Sequence, residues 1–389
     1  MKCVILGAGK IARGFIGHLL YLSEIPFIFI EKSDALTELL NRRGQYTVNI
    51  LGNSGKNCVV KGAKAVCLQD EEQAVKTITE ADAVFTAVGG KNLEALVPCL
   101  TKAIEEKAKK GGSLNIVTCE NWKLPADILR NGIEKRISED AREYLEKQVG
   151  ITEAVIMRSA IESDPELLKK DPLIVNVQDF WELPVDASRI VGELPAVRGL
   201  KLVSEFSGFL ERKFYTYNAA NGTVSYLGAL LGYEKLADAA HDERIVKILD
   251  GVYQETARAL SAKHHFPLEE QLAFTLTSKR KLQDYTIVDF IERNARDPLR
   301  KLGRDDRLVG SARLAQEYGI CPEHLCIAIA AAVYYVNPED ESAVELESIR
   351  KEGVDAVLEK VCRLDPSGEL GMLVKEKIRL LKEWGWIHE

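Results

Sequence analysis

The chain has 389 residues and a formal net charge of −7, from 52 Lys plus Arg against 59 Asp plus Glu. That length suits two domains, each with its own core, and the acidic balance argues against nucleic acid or an anionic membrane as the main partner. With 46% hydrophobic and 29% charged residues, the composition is that of a globular enzyme. There is no apolar run of about 18 residues of the kind that spans a bilayer. The first residues read as strand and helix rather than as a cleavable leader. Eight scattered cysteines and six histidines form no knuckle or cluster. We therefore expect reduced thiols, a cytoplasmic setting and no metal.

The first elements in chain order are the most informative. Val4-Ile5-Leu6 is a short apolar run, Gly7-Ala8-Gly9-Lys10-Ile11-Ala12 follows at once, and residues 13–20 read as a helix. A Gly-x-Gly-x-x-Ala turn between a buried strand and a helix is the dinucleotide-binding fingerprint. Gly7 permits the tight turn, Gly9 leaves room for a pyrophosphate, and Ala12 lets the helix pack on the strand. The helix N-terminus turns free N–H groups towards the phosphates. A second apolar run, Pro26 to Ile30, ends in Glu31, and a carboxylate there binds a ribose 2′-OH and repels a 2′-phosphate. NAD is therefore expected over NADP, and Lys32 next door weakens that preference.

Beyond Glu31 the pattern predicts a helix over 34–43, strands over 45–51 and near 58–61, a short strand at 66–68 and a polar helix. An apolar strand over 83–88 then runs into Gly89-Gly90, where Ala87, Val88 and Gly89 lie close to a cofactor. A helix over 93–109 and a buried strand over 114–118 follow, with Thr118-Cys119-Glu120-Asn121 at a strand end. Alternating strands and helices imply an α/β, Rossmann-type, doubly wound parallel sheet whose ligand sits at the strand C-terminal ends. A helix is expected over 139–148, with strands at 155–157 and 173–177. Prolines cluster between Pro184 and Pro195, which sets the expected division into a dinucleotide-binding domain, 1–190, and a mainly helical domain, 191–389. Helices are expected there over 205–231, 242–263, 268–281, 306–318, 322–335, 340–351, 354–362 and 370–384.

In the helical half, Lys213, Asn218 and Asn221 fall within an arc of roughly 140° on an α-helix. A lysine desolvated by the aromatic neighbours of 213–217 can reach a pKa of ~7–8 and act as a general base. Asparagine amides can donate to a developing alkoxide. The same spacing also describes three ordinary surface polar residues. No tyrosine is followed four residues later by lysine, so the short-chain dehydrogenase pair is missing.

Several motifs together resemble the polyol-specific long-chain dehydrogenases, the mannitol dehydrogenase family. They are Gly7-Ala8-Gly9-x-Ile11-x-Arg13-Gly14-Phe15-Ile16-Gly17, Cys119-Glu120-Asn121, Lys213-x4-Asn218, and the run from Glu292-Arg293 through Arg296, Pro298-Leu299-Arg300-Lys301-Leu302 to Asp306-Arg307-Leu308. The resemblance implies a dinucleotide-binding domain, a helical substrate domain, and metal-free chemistry with Lys213 as base and Asn121 and Asn218 on the substrate oxygen. It also implies a role for Arg293, Arg296, Arg300 and Lys301 in holding the substrate's anionic end. The expected reaction interconverts a polyol, a hexitol phosphate in the first instance, and its ketose. A hexuronate or aldonate oxidoreductase of the same superfamily, or a degenerate NAD-binding member without turnover, are the rivals. The partner is then a small molecule, in a monomer or small homo-oligomer. Three positions depart from the family pattern: Asn221 replaces a histidine, Lys10 an asparagine and Ala12 a glycine. Asparagine can hydrogen-bond a hydroxyl but does not titrate near neutral pH.

Overall fold

The computed structural model describes residues 1–161 and 163–387 and divides the chain into two compact units, Met1–Phe206 and Ser207–Glu389. The strands, in chain order, are β1 (Cys3–Leu6), β2 (Phe27–Glu31), β3 (Gln45–Ile50), β4 (Cys58–Lys61), β5 (Ala65–Cys67) and β6 (Ala83–Thr86). They continue with β7 (Leu114–Thr118), β8 (Val149–Glu153), β9 (Ala160–Ile161), β10 (Val175–Val177), β11 (Leu183–Asp186) and β12 (Leu200–Val203).

Six strands form one parallel sheet in the order β5-β2-β1-β6-β7-β8. β1 is buried along its whole length because it feeds two cores. Cys3 and Ile5 join the cluster of Phe15, Phe29 and Phe85 on one face, and Val4 and Leu6 join Ile30, Val84 and Ile116 on the other. A strand covered on both faces must be apolar throughout, which is why Val4-Ile5-Leu6 reads as a run rather than an alternation. The chain builds outwards from β1 in one direction and resumes at β6 in the other. The crevice of the doubly wound sheet therefore opens beyond the C-terminal ends of β1 and β6.

The helix after β1 lies between this sheet and a second one, ordered β4-β3-β10-β9. Two glycines make the approach possible. A Cβ on Gly14 would lie 2.6 Å from Val177 Cγ1, and one on Gly17 would lie 2.6 Å from the Tyr46 hydroxyl oxygen. The backbone here is π-helical over Ala12–Gly17 before it tightens into the α-helix His18–Leu22. Tyr46 Oη donates to Arg13 O, and the buried Arg158 guanidinium donates to Gly14 O, so both buried carbonyls have side-chain partners.

Two features differ from the sequence expectation. The strand expected at 155–157 is instead β8, Val149–Glu153, the edge strand of the parallel sheet. Its Gly150 and Thr152 hide it from an apolar pattern, although Gly150 is needed because a Cβ there would meet Asn115 Oδ1 at 2.2 Å. The compact units divide at Phe206–Ser207, later than the proline cluster suggested. β11 and β12 pair in parallel, and Ala154 bridges Val185, so the prolines punctuate the first unit and residues to Phe206 stay with it.

The second unit is helical. Its centre is the pair Ala219–Leu230 and Glu323–Val333, with the long helix Glu243–His264 and the C-terminal helix Glu369–Glu383 around them. No helix among the described residues is long and apolar enough to cross a membrane.

Candidate active site

In the first unit the fingerprint turn has the expected form. Gly7 has φ +91°, and a Cβ there would lie 2.6 Å from the Ala87 carbonyl oxygen, so the β1 and β6 ends are locked together by a residue without a side chain. A Cβ on Gly9 meets nothing within 4 Å, which leaves the open cradle that a pyrophosphate requires. Ala8 and Ala12 are buried, Lys10 and Ile11 are half-buried, and burial together with Arg13 lowers the Lys10 pKa. Glu31 closes β2 against the turn: its Oε2 accepts from Ala8 N at 2.7 Å and its Oε1 from Ser33 N at 3.0 Å.

The Ala87-Val88-Gly89 segment is braced by a residue not singled out from the sequence. Glu120 is buried and accepts from Thr86 Oγ1 at 3.0 Å, Val88 N at 2.9 Å and Gly89 N at 3.0 Å. Burial pushes its carboxyl pKa up, against the pull of those three donors. Asn121 follows it and is exposed.

In the second unit Lys213 ends the helix Phe206–Lys213, and Phe214–Asn218 is a π-helical turn that leads into Ala219–Leu230. Ala219 N reaches back to Phe214 O, the i→i−5 bond of the wide turn. An α-helix would hold residues five apart at about 140°. The wide turn brings Lys213 and Asn218 towards one face, and Asn221 follows three residues later. The sequence spacing therefore understated how closely these groups are gathered.

Burial lowers the Lys213 pKa, with the Arg307 guanidinium the second cause. Its amine has no hydrogen-bond or ion-pair partner among the described residues. Arg307 is itself mostly buried, lies over the Phe214 ring at 5.6 Å to the centroid and is held by Asp306 at 2.9 Å. Gly222 gives it room, since a Cβ there would touch Arg307 Cδ at 3.4 Å and Leu308 Cδ2 at 3.3 Å. Burial pushes Lys281, on the helix Leu268–Leu282, down to about 8, and the nearby charge of Lys213 adds to the effect.

The helix Leu268–Leu282 is pinned to this segment. Gln271 Nε2 donates to Thr216 Oγ1 at 3.0 Å, and its Oε1 accepts from Arg212 Nε at 2.6 Å.

The four basic residues expected at the substrate's anionic end do not act as one group. Arg293 is exposed and pairs bidentately with Asp289, Arg296 is exposed, and Arg300 is exposed and tied to Asp297 and Asp306. Only Lys301 is buried. Its Nζ donates to Asn294 O, and burial, with Arg307 and Arg300 nearby, pushes its pKa down to about 8. Asn294 in turn meets Asn221: Asn221 Nδ2 donates to Asn294 Oδ1 at 3.0 Å.

Arg307, Lys281, Asn294 and Glu120 were thus not named as site residues from sequence. Arg307 and Glu120 stood inside motifs already noted. Among the described residues no group of three or more His, Cys, Asp or Glu is placed to hold a metal ion.

A Rossmann-type unit with an intact fingerprint, followed by a helical unit carrying a half-buried lysine of lowered pKa and two nearby amides, defines a two-domain dehydrogenase. Comparison with known proteins gives the family. Residues 1–199 match the mannitol dehydrogenase Rossmann domain and residues 205–364 the mannitol dehydrogenase C-terminal domain. The chain is 33% identical to a mannitol-1-phosphate 5-dehydrogenase of Brevibacillus brevis over 390 residues, covering 100% of both chains. It is 32% identical to a protein of the same name from Thermoanaerobacter pseudethanolicus over 385 residues, covering 98% of each. Among solved structures, a D-sorbitol dehydrogenase shares the fold with TM-score 0.84 at 18% identity, over 99% of this chain and 93% of that one. A Pseudomonas fluorescens mannitol 2-dehydrogenase does so with TM-score 0.69 at 13% identity, over 99% of this chain and 92% of that one. The chain belongs to the mannitol dehydrogenase family. It is an enzyme of the NAD-dependent dehydrogenase class, as its fingerprint turn and Glu31 led us to expect.

Proposed function

We propose that the protein interconverts mannitol 1-phosphate, or a closely related hexitol phosphate, and its ketose phosphate, fructose 6-phosphate. The observation that carries this reading is the setting of Lys213: a half-buried amine with a lowered pKa, on one face with Asn218 and near the mostly buried Arg307. The substrate is drawn from the names of the full-length relatives.

Held at the Gly7–Ala12 turn, NAD⁺ would supply the acceptor for the hydride that leaves the substrate carbinol carbon. Lys213 Nζ takes the hydroxyl proton as the C–O bond becomes a carbonyl, and returns it in the reverse direction. A neutral amine is needed for this, and desolvation beside a guanidinium favours it. Asn218 donates an amide hydrogen bond to the oxygen as charge develops, and Asn121 is assigned the same role. Arg307 and Lys301, rather than the solvated arginines, are the better-placed cations for the substrate's anionic end. The reaction needs no metal in this reading, since a lysine does the work of the base.

NADH formation from NAD⁺ and mannitol 1-phosphate is the direct test. Steady turnover that Lys213→Ala abolishes supports the reading. Full activity in Lys213→Ala, or no turnover of any hexitol phosphate by the wild type, overturns it.

A further inference from the structure

The surroundings of Asn221 determine what its side-chain amide offers a ligand. Asn294 Nδ2 donates to the backbone carbonyl of Phe290 at 2.9 Å. A carbonyl can only accept, so Asn294 must turn its NH2 group there, which leaves Oδ1 for Asn221. Asn294 Oδ1 can likewise only accept, so Asn221 must turn its own NH2 group towards it, and the bond is 3.0 Å. What remains of the Asn221 amide is its second N–H and Oδ1, and Oδ1, on the side turned away from Asn294, has no partner among the described residues. Two further bonds hold the arrangement: Lys301 Nζ donates to Asn294 O, and Ser225 Oγ donates to Asn221 O at 2.7 Å. Both asparagines are partly buried, so a reversal of either amide would set oxygen against oxygen with little water to relieve it.

We propose that Asn294 is a specificity-positioning residue, which fixes the Asn221 amide so that it presents an acceptor, and thereby selects a substrate with a hydroxyl donor at that point. This rests on the reading that the Lys213–Asn221 segment faces the substrate. It narrows that reading to a polyol chain. A carboxylate or other acceptor-only group placed against Asn221 Oδ1 finds no hydrogen and meets like partial charge, so sugar acids are disfavoured there.

The test compares mannitol 1-phosphate with a set of its analogues, each with one hydroxyl other than the reacting one replaced by fluorine, which keeps an electronegative atom but removes the donor. In the wild type one analogue should lose at least tenfold in kcat/KM. In Asn294→Leu the Asn221 amide is free to reverse, and that penalty should shrink to within about threefold, with the melting temperature recorded as a control. Asn294→Asp gives up the donor to Phe290 O but keeps acceptor-only oxygens opposite Asn221, and should preserve the wild-type penalty; this variant carries the test if Asn294→Leu does not fold. An unchanged penalty in folded Asn294→Leu, or a lost one in folded Asn294→Asp, overturns the proposal while normal wild-type turnover leaves the functional reading standing. Wild-type enzyme that turns over no hexitol phosphate overturns both.

Discussion

The carboxylate of Glu31 accepts a 2.7 Å hydrogen bond from the backbone N–H of Ala8, so the last residue of β2 closes onto the turn 23 positions upstream. The group expected to choose between cofactors therefore also shapes the turn that binds them. These two roles are separable by substitution. In Glu31→Gln the amide oxygen can keep the Ala8 bond while the charge is lost, so use of NADP relative to NAD should rise roughly tenfold, the scale of one charge contact. In Glu31→Ala both roles go, and KM should rise for both cofactors. Steady-state kinetics with NAD⁺ and NADP⁺ checks both; unchanged cofactor preference in Glu31→Gln would confine Glu31 to supporting the turn.

Lys213→Ala should lower kcat by ~10²–10⁴-fold, the range for loss of a general base. NADH affinity, read by fluorescence titration, should stay within about twofold, because Lys213 belongs to the helical unit and the fingerprint to the other. A matched loss of NADH binding would mean that the substitution had disturbed the fold instead.

Arg307 provides a separate test of the base. Its charge is the second cause of the low Lys213 pKa, after burial. Removing it in Arg307→Met should let the amine hold its proton to higher pH. The rising limb of kcat/KM for alcohol oxidation should move upwards, and KM for a phosphorylated substrate should increase. Arg300→Ala should change little of either, since that side chain is exposed and already engaged by Asp297 and Asp306. If Arg300→Ala proves the more damaging for phosphorylated substrates alone, the anionic end lies at the surface arginines.

Stability should depend on pH through His324. Its Nδ1 lies 2.7 Å from Glu255 Oε1, and the buried Glu255 carboxylate also accepts from two backbone N–H groups in the first turn of the helix Glu323–Val333, His324 N and Leu325 N. The hydrogen bond to Glu255 raises the His324 pKa, against desolvation. A raised histidine contributes stability that is complete below its unfolded value of about 6.5 and fades as pH rises through the folded value. The melting temperature of His324→Gln should therefore trail the wild type more at about pH 5.5 than at about pH 8.5. An equal deficit at both would show that the ion pair contributes nothing.

Much of the fold was legible because its signals are local. β1, the turn and β2 announce themselves by an apolar run, two glycines and an acid, and Asp34–Arg43 carries its own caps in Ser33 and Gly44. β8 was misplaced because its residues are apolar only in part, and their burial depends on β7 far upstream in the chain. Lys213 and Asn218 were visible as a pair, but not the wide turn between them, since no residue type demands one. Asn294 was invisible for another reason. In the sequence it is one polar residue in a charged run, and only the fold sets it opposite Asn221, 73 positions away.

The wide turn at Phe214–Asn218 has a consequence for how this segment tolerates change in length. Deleting one residue just beyond it, with the wide turn itself kept, would rotate everything further on by about 100° relative to Lys213. If the lysine kept its place, Asn221 would leave Asn294 and Gly222 would swing away from Leu308. The composition of the helix would hardly alter, and its apolar content would remain sufficient to fold. What would be lost is phase: the site is set by how many residues separate its parts along a screw, and a shift of one count is enough to put it out of step.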